Sequence, residues 1–193
     1  MIRIIAGLRK NRRVLSLPMT HNVKPISARV RKSLFDIIRP YITASFFLDL
    51  YAGIGLVGLE ALSRGAAKVV FVDNDNQCIK TIKRNLKHLD FEDKAVVIKS
   101  DILKGLAFLK IYAPQGYDIV FMGPPYRDCE NKPLYLTAKT MELVVEAKLF
   151  SDHAILISQH HIKEVFKSPS SLVKYRSERY GDSIIDFFRQ KNV

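Results

Sequence analysis

Three glycines and one aspartate have the spacing of a nucleotide-binding turn. Gly53, Gly55 and Gly58 form a G-x-G-x-x-G pattern, and Asp73 lies 20 residues after Gly53. In such turns the first glycine permits a tight bend and the second lets the backbone approach a ligand, while the downstream carboxylate accepts hydrogen bonds from ribose hydroxyls. The helix that follows offers unpaired N–H groups and the positive end of its dipole. These residues predict a site for a nucleoside cofactor.

Asp73 has an alternative interpretation as a helix cap. A helix is predicted to begin shortly after it, and Asn74, Asp75 and Asn76 could cap that helix as well. The glycine spacing and the position of Asp73 at the end of an apolar run together favour the nucleoside interpretation.

A second group of residues could present a flat base for chemistry. Gly123, Pro124, Pro125 and Tyr126 are consecutive, and the two prolines form a stiff extended turn without N–H groups, so that carbonyl oxygens stay available as acceptors. Tyr126 is placed to stack on the base. This arrangement suits an exocyclic amine that is presented to an electrophilic methyl group.

Buried strands must position both groups. Apolar runs that alternate with helical periodicity predict an α/β fold with a mostly parallel, twisted sheet and a C-terminal antiparallel hairpin. Ligands of such sheets bind at the carboxyl ends of the strands, where the glycine turn, Asp73, Asp101 and residues 123–126 should meet. The predicted strands are Phe46–Leu50, Lys68–Asp73, Ala95–Lys99, Tyr117–Met122 and 154–158, with the hairpin at 173–178 and 183–188. The predicted helices are 77–89, a stretch after Asp101 through residue 109, and most of 133–150.

The first 40 residues are predicted to form an extension of a main domain at 41–193. Short apolar stretches around Asn11 predict a β-hairpin within residues 1–17. An apolar stripe over residues 29–38 predicts a helix with Ser27 as its N-cap. Pro40 marks the boundary.

The net charge of +12 is concentrated in this extension. Residues 1–39 contain ten Lys and Arg against one acid, Asp36, whereas the rest of the chain is nearly balanced. Such clustering indicates a polyanionic partner, with RNA or DNA first. A membrane surface fits less well because the extension lacks a long amphipathic helix with aromatic anchors.

Other classes of protein are disfavoured. No apolar run approaches the roughly 18–20 residues of a bilayer span, and the N-terminus lacks the apolar core of a signal peptide. Cys78 and Cys129 make neither a disulfide framework nor a metal spacing, and His160 with His161 is too isolated to indicate a metal. A cytoplasmic monomer is the expectation.

Several stretches carry a resemblance to one enzyme family. They include RIIAG at 3–7, LDLYAGIG at 48–55, GLEALSRGA at 58–66, FVD at 71–73, PPY at 124–126 and YGD at 180–182. The chain resembles class I S-adenosylmethionine-dependent methyltransferases, and within them the RsmD-like family, which methylates the N2 amine of a guanine in bacterial small-subunit ribosomal RNA. The resemblance implies a Rossmann-like fold, S-adenosylmethionine as cofactor, and ribosomal RNA, a small ribosomal subunit or its assembly intermediate as partner.

The resemblance also implies roles for individual residues. Asp73 would accept from the ribose hydroxyls and Asp101 from the adenine amine, although a helix cap is an equal alternative for Asp101. Pro124 would accept from the target amine, and Tyr126 would stack on the guanine. The implied cofactor site is Asp49, Tyr51, Gly53, Gly55, Asp73, Asn74 and Asp101. The implied contacts with RNA phosphates, which salt would weaken, are Arg9, Lys10, Arg12, Arg13, Lys24, Arg29 and Arg31.

Gly123 departs from the family pattern, which has an acidic residue, or Asn in related families, before the two prolines. Losing one such partner of the reacting amine costs on the order of 3 kcal/mol, and a water could replace part of it. Three alternatives stay open, the first because of Gly123 and the other two because they share the glycine turn or the Pro-Pro-Tyr turn. They are a catalytically silent RNA-binding or ribosome-assembly protein, an NAD-dependent oxidoreductase, and an amino-methyltransferase acting on DNA adenine or protein glutamine.

Overall fold

A computed structural model describes residues 2–17 and 25–191. The strands of this part are β1 (Phe46–Leu50), β2 (Lys68–Asp73), β3 (Ala95–Lys99), β4 (Tyr117–Met122), β5 (Phe150–His161), β6 (Leu172–Tyr180) and β7 (Ser183–Gln190). The α-helices are α1 (Ala28–Ile37), α2 (Arg39–Ile42), α3 (Leu56–Ser63), α4 (Asn76–Leu89) and α5 (Thr137–Glu146). Short 3-10 helices cover Glu92–Lys94, Ile102–Lys104 and Ala107–Tyr112.

The strands form one sheet in the order β3-β2-β1-β4-β5-β7-β6. Neighbours from β3 to β5 pair in parallel, whereas β7 is antiparallel to both β5 and β6. The predicted Rossmann-like α/β fold with a C-terminal antiparallel hairpin is therefore confirmed. The chain runs outward from β1 in one direction and from β4 in the other, so the switch point lies between these two strands.

Helices cover both faces of the sheet. On one face α1, α3 and α4 pack on strand residues that include Phe47 and Phe71. On the other face α5 and the 3-10 helices after β3 pack on residues that include Leu48 and Val120. Because successive strand residues point to opposite faces, these strands are apolar on both sides. No helix in the described ranges is long and apolar enough to cross a bilayer.

The predicted hairpin of the extension is confirmed in a short form. Within residues 2–17 an antiparallel bridge joins Arg3 to Arg13. Backbone hydrogen bonds flank this bridge, from Ile4 N to Arg12 O at 3.0 Å, from Asn11 N to Ile4 O at 2.9 Å and from Val14 N to Ile2 O at 3.0 Å. Ile4 and Val14 are buried in the same core as Phe35 of α1 and the sheet. The extension therefore packs as a short hairpin and a helix onto the main domain and shares its core.

Several helices and strands have bounds in the structure that differ from the predicted ones. Ser27 does cap the extension helix, since its Oγ accepts a hydrogen bond of 3.3 Å from Val30 N, and this prediction is confirmed. The stretch after Asp101 forms two 3-10 helices, and α5 is shorter than predicted. β5 continues past its predicted end at residue 158 because β7 pairs with it as far as His161.

Candidate active site

The carboxyl ends of β1 and β2 bring the glycine turn and Asp73 together. Leu50 of β1 pairs with Val72 of β2, so the residues that follow leave the sheet at the same edge. Asp73 is 8% exposed, and its Oδ2 accepts a hydrogen bond of 2.7 Å from Gly53 N. The glycine turn and Asp73, which the sequence spacing predicted to act together, are therefore in direct contact.

Asp75, rather than Asp73, caps α4. Asp75 Oδ1 accepts hydrogen bonds of 2.8 Å from Gln77 N and from Cys78 N. Asp73 Oδ1 accepts a hydrogen bond of 2.9 Å from Asp75 N, so the alternative of Asp73 as the helix cap is wrong. Burial raises the pKa of Asp73, and backbone N–H groups oppose that rise. Asn74 is exposed beside it.

Asp49 connects β1 to the first turn of α3. The residue is 1% exposed, and its Oδ2 accepts a hydrogen bond of 2.9 Å from Gly58 N. Burial raises the pKa of Asp49 to about 8, the hydrogen bond from Gly58 opposes the rise, and the charge of Asp73 adds to it. Asp49 thus stabilises the glycine turn from behind, and its contact with the cofactor stays a prediction.

We expect Asp49→Asn to remove part of the pH dependence of stability. Between pH 3.8 and about 8 the unfolded chain has ionised Asp49, whereas the folded protein keeps the proton. The folded state therefore binds more protons, and the free energy of unfolding contributed by Asp49 falls as the pH rises. Asn is neutral throughout and can still accept from Gly58 N.

Urea unfolding from pH 5 to 8 measures this effect. The wild type should lose stability relative to Asp49→Asn by at most about 1.4 kcal/mol per pH unit. All other titrating groups are common to both proteins and cancel in the difference. Parallel curves would contradict the buried, protonated carboxyl.

Gly55 has a role in packing in addition to the predicted one. Its φ is +82°, which is strained for residues with a side chain. A Cβ would lie 3.1 Å from Ile82 Cγ1 and 3.3 Å from Phe71 Cε1, so the missing side chain also makes room for packing, and the approach of a ligand to the backbone of Gly55 stays a prediction. A Cβ on Gly58 would overlap the Phe71 ring, and this glycine therefore brings α3 close to β2.

Tyr51 and Asp101 lie close to each other. The Tyr51 hydroxyl and Thr140 Oγ1 form a hydrogen bond of 2.8 Å. Burial raises the pKa of Tyr51, the Thr140 hydrogen bond opposes it, and the nearby charges of Asp101 and Glu164 raise it further. Asp101 Oδ1 accepts a hydrogen bond of 3.0 Å from Leu103 N. The cap interpretation of Asp101 is confirmed for this oxygen, and the adenine contact stays a prediction.

The Pro-Pro-Tyr turn follows β4 at the same sheet edge. Met122 of β4 pairs with Leu50 of β1, and Gly123 N donates a hydrogen bond of 3.4 Å to Leu50 O. Pro124 is buried, Pro125 is exposed and Tyr126 is partly exposed. The turn that could hold a base therefore leaves the sheet beside the glycine turn.

Tyr126 is held by two residues that sequence analysis missed. Its hydroxyl donates a hydrogen bond of 3.1 Å to Ser183 Oγ and accepts one of 3.1 Å from Gln159 Nε2. The His161 ring packs edge-on against Tyr126 at 5.5 Å between centroids. Gln159 lies just beyond the predicted end of its strand, so the one available signal, a polar residue after an apolar run, was not connected to the site.

The basic side chains of the extension differ in their surroundings. Arg9 and Arg12 donate hydrogen bonds of 2.8 and 3.0 Å to carbonyl oxygens in the last turn of α4. Cations at a helix C-terminus are stabilising, so these two residues also hold the extension in place. Among the predicted RNA contacts, Lys10, Arg13 and Arg29 are exposed and make no such hydrogen bond to α4 in the described part of the chain. Lys24 lies outside the described residues.

Arg31 is wrongly predicted as a phosphate contact. It is 1% exposed, its guanidinium donates a hydrogen bond of 2.6 Å to Arg3 O, and Nε lies 3.5 Å from Glu60 Oε2. Burial lowers the pKa of Arg31, and the charge of Glu60 opposes that change. The side chain faces a carboxylate of α3 in the interior, so RNA cannot reach it.

Glu60 joins the extension to the main domain and was not singled out as a site residue. Its two oxygens accept hydrogen bonds of 2.9 Å from Ile5 N and 3.0 Å from Ala6 N. Arg64 Nε lies 2.9 Å from Glu60 Oε1. The family-like stretch at 58–66 therefore includes the attachment point of the extension.

Comparison with known proteins identifies the family. Residues 2–189 match the family described as Conserved hypothetical protein 95. The ribosomal RNA small subunit methyltransferase D of Escherichia coli is 31% identical over 162 residues, which cover 84% of this chain and 76% of the relative. The chain belongs to the RsmD-like methyltransferase family.

Other matches to this RsmD-like chain extend over nearly its whole length. YlbH of Bacillus subtilis is 30% identical over 191 residues, covering 98% of this chain and 100% of YlbH. The solved structure of yhhF from Escherichia coli superimposes with a TM-score of 0.80 at 26% identity and covers 98% of both chains. These matches support the family assignment across the extension as well as the sheet.

The cofactor of this RsmD-like chain is S-adenosylmethionine, which rejects the nicotinamide alternative. When bound, it supplies an electrophilic methyl group. The site beside the glycine turn fits the ribose of this cofactor. A carboxylate has about four lone-pair sites, and Asp73 uses only some of them for backbone N–H groups. Acceptor capacity for ribose hydroxyls therefore remains at the strand edge.

Proposed function

We propose that this protein transfers a methyl group from S-adenosylmethionine to the exocyclic N2 amine of a guanine in small-subunit ribosomal RNA. Relatives in Escherichia coli and Haemophilus influenzae are named ribosomal RNA small subunit methyltransferase D, the second being 40% identical over 129 residues. The observation that carries the proposal is the shared edge of β1, β2 and β4. There, Asp73 contacts the glycine turn and the Pro-Pro-Tyr turn begins beside them.

On the cofactor side, Asp73 accepts hydrogen bonds from the ribose hydroxyls. Asp101 accepts from the adenine amine with the oxygen that does not cap the 3-10 helix. The turn through Gly53 and Gly55 lies along the methionine end, with Asp49 behind it. The order of the strand ends along the edge, β3 outside β2 and β2 outside β1, supports this division of roles.

On the acceptor side, the Pro124 carbonyl accepts a hydrogen bond from the target amine, and Tyr126 stacks on the guanine. The contacts of Tyr126 with Gln159 and Ser183 orient its ring before the base arrives. The amine nitrogen attacks the methyl carbon in line, and the proton afterwards leaves to solvent. Since no covalent bond to the protein forms, most of the acceleration comes from positioning.

Residues 1–40 supply much of the RNA-binding surface of the domain at 41–193. A groove of about 300 Å³ lies between the start of α1 and the β6–β7 turn, with Arg29 on one side and Arg179 on the other. Ser183, just after that turn, contacts Tyr126. Cations in this groove would meet the RNA backbone close to the target nucleotide.

We expect the double variant Arg29→Ala with Arg179→Ala to weaken RNA binding without changing affinity for S-adenosylhomocysteine. Two lost phosphate contacts reduce the slope of log affinity against log salt by about two. Titration of an RNA fragment at several KCl concentrations measures the slope. The matched control is Lys83→Ala with Arg84→Ala, which removes the same charge from the exposed face of α4. Equal slopes in the two double variants would contradict a local contact.

Methyl transfer from radiolabelled S-adenosylmethionine to small-subunit assembly intermediates tests the function. Nucleoside analysis of the labelled RNA should give N2-methylguanosine. Label in adenine or in protein would instead support an amino-methyltransferase of another specificity. Naked RNA and mature subunits, assayed beside the intermediates, identify the form of the substrate.

A catalytically silent RNA-binding or assembly protein is the second candidate function. The observation that favours it is Gly123, which leaves no side chain before the prolines. A Cβ at this position would lie 3.3 Å from its nearest neighbour, Phe121 Cε1, so an acidic residue here requires the Phe121 ring to shift by a few tenths of an ångström. If Gly123→Asp transfers methyl groups and the wild type does not, the silent function is correct.

A further inference from the structure

Gly123 has a polar neighbour on the adjacent strand. Met122 of β4 pairs in parallel with Ser158 of β5, so the next residues, Gly123 and Gln159, lie side by side where the strands leave the sheet. A Cβ built on Gly123 would lie 3.9 Å from Gln159 Cβ. A side chain at residue 123 and the side chain of Gln159 would therefore begin at neighbouring positions on the same face of the sheet.

The hydrogen bonds of Tyr126 orient the Gln159 amide. The hydroxyl group has one proton, which it donates to Ser183 Oγ, so the group facing it from Gln159 must be a donor. That group is the amide nitrogen, Nε2, at 3.1 Å. In the described part of the chain the amide oxygen, Oε1, accepts no hydrogen bond, and Gln159 is partly exposed.

We propose that the Gln159 amide oxygen accepts a hydrogen bond from the target amine in place of the side chain that Gly123 lacks. The inference rests on the proposed function and assigns a further residue to its catalytic site. One amide then serves two purposes: Nε2 holds the aromatic ring on which the base stacks, and Oε1 orients the amine of that base.

The chemistry requires an acceptor here rather than a base. As the new N–C bond forms and the methyl–sulfur bond breaks, the amine nitrogen becomes positive and its N–H groups become stronger donors. A fixed carbonyl oxygen stabilises that charge without taking the proton, which leaves to water afterwards. Preorganised dipoles of this kind act most strongly on charge that develops in the transition state, so the effect belongs mainly to kcat.

The test compares wild type, Gln159→Met, Gly123→Asp and the double variant in the methyl-transfer assay on assembly intermediates. Gln159→Met keeps the length and packing of the side chain but removes both polar atoms. We expect it to lower kcat roughly 100-fold and to leave the affinity for S-adenosylhomocysteine unchanged. Adding Gly123→Asp to Gln159→Met should restore kcat to within about threefold of wild type, because the carboxylate replaces the missing acceptor at the same place.

Restoration of kcat in the double variant distinguishes an acceptor role of Gln159 from a role limited to holding Tyr126. If Gln159 acts only by holding the ring, an acceptor at residue 123 cannot repair Gln159→Met, and failure of the double variant would overturn the inference. An active wild type with unchanged kcat in Gln159→Met would also overturn it while leaving the proposed function intact. A wild type that transfers no methyl group to RNA would overturn both. Tyr126→Phe, which keeps the stacking surface and the Gln159 oxygen, should retain more activity than Gln159→Met, and the reverse order would contradict the proposal.

Discussion

Replacing Glu60 with alanine is expected to lower the free energy of unfolding by about 3–5 kcal/mol, the usual cost of removing one partner of a buried ion pair. Glu60 is 0% exposed. Its carboxylate accepts two backbone hydrogen bonds from the extension and faces the guanidinium groups of Arg31 and Arg64. For a chain of this size the loss corresponds to a fall in Tm of roughly 10 °C.

The large loss of stability follows from the groups that Glu60→Ala leaves unpaired. Arg31 is 2% exposed in its side chain and Arg64 is 11% exposed, so neither can hydrate fully when the carboxylate is removed. The two guanidinium groups would then face each other without a compensating charge, and Ile5 N and Ala6 N would lose their acceptors. Glu60→Gln keeps the shape and one acceptor oxygen, and we expect it to lose about half as much stability.

Thermal and urea unfolding measure the loss, and hydrogen exchange locates it. The amides of Ile5 and Ala6 should exchange faster in the variants than amides in β1. Asp36→Asn is the matched control, because the Lys32–Asp36 pair is 65% and 51% exposed and such pairs contribute no more than about 1 kcal/mol. A Glu60→Ala protein as stable as Asp36→Asn would show that the extension is attached in another way.

The elements of the main domain are predictable from the sequence because each is specified locally. The apolar runs Phe46–Leu50, Lys68–Asp73, Ala95–Lys99 and Tyr117–Met122 have the same bounds in the structure. The first, second and fourth are buried on both faces, and such strands need an uninterrupted apolar sequence. The extension is less predictable. Its conformation depends on Glu60, a residue more than 50 positions away, and no local pattern encodes that contact.

Arg31 is a side chain whose burial is indicated by helical spacing and not by charge. Arg31 lies three, four and seven residues before Leu34, Phe35 and Ile38, which are all buried, so helical spacing places it on the apolar face of α1. In the structure a second surface, α3 with Glu60, approaches α1 from that side. Charge pattern alone cannot distinguish an arginine that meets a carboxylate in the interior from one that meets phosphate outside.

The candidate site is predicted where a motif links residues across strands. The glycine spacing relates Gly53 to Asp73, and these residues are in contact. Gln159 and Ser183 belong to no motif, and they reach Tyr126 only because β5 and β7 pair at that edge of the sheet. Predicting residues that support a site from neighbouring strands therefore requires the register in which the strands pair, and no motif in the sequence gives that register.

Asp73→Ala is expected to weaken binding of S-adenosylhomocysteine by roughly 100-fold or more. Two ribose hydroxyls would each lose a hydrogen bond to a charged acceptor, at about 1.5–3 kcal/mol per bond. Gly53 N would also lose its acceptor at 2.7 Å, so the glycine turn would be less well ordered before the ligand binds. Asp73→Asn keeps one acceptor oxygen without the charge, and we expect an intermediate loss of about tenfold.

Isothermal titration calorimetry at a temperature well below each Tm separates this loss from instability. Asp75→Ala is the matched control, since it removes a neighbouring carboxylate that caps α4. That variant should lose about 1 kcal/mol of stability and keep its affinity for the ligand within about threefold. The opposite pattern, with Asp75→Ala weakening binding and Asp73→Ala leaving it intact, would move the nucleoside away from the end of β2. It would also remove the basis for placing the methyl group beside Gly123 and Tyr126.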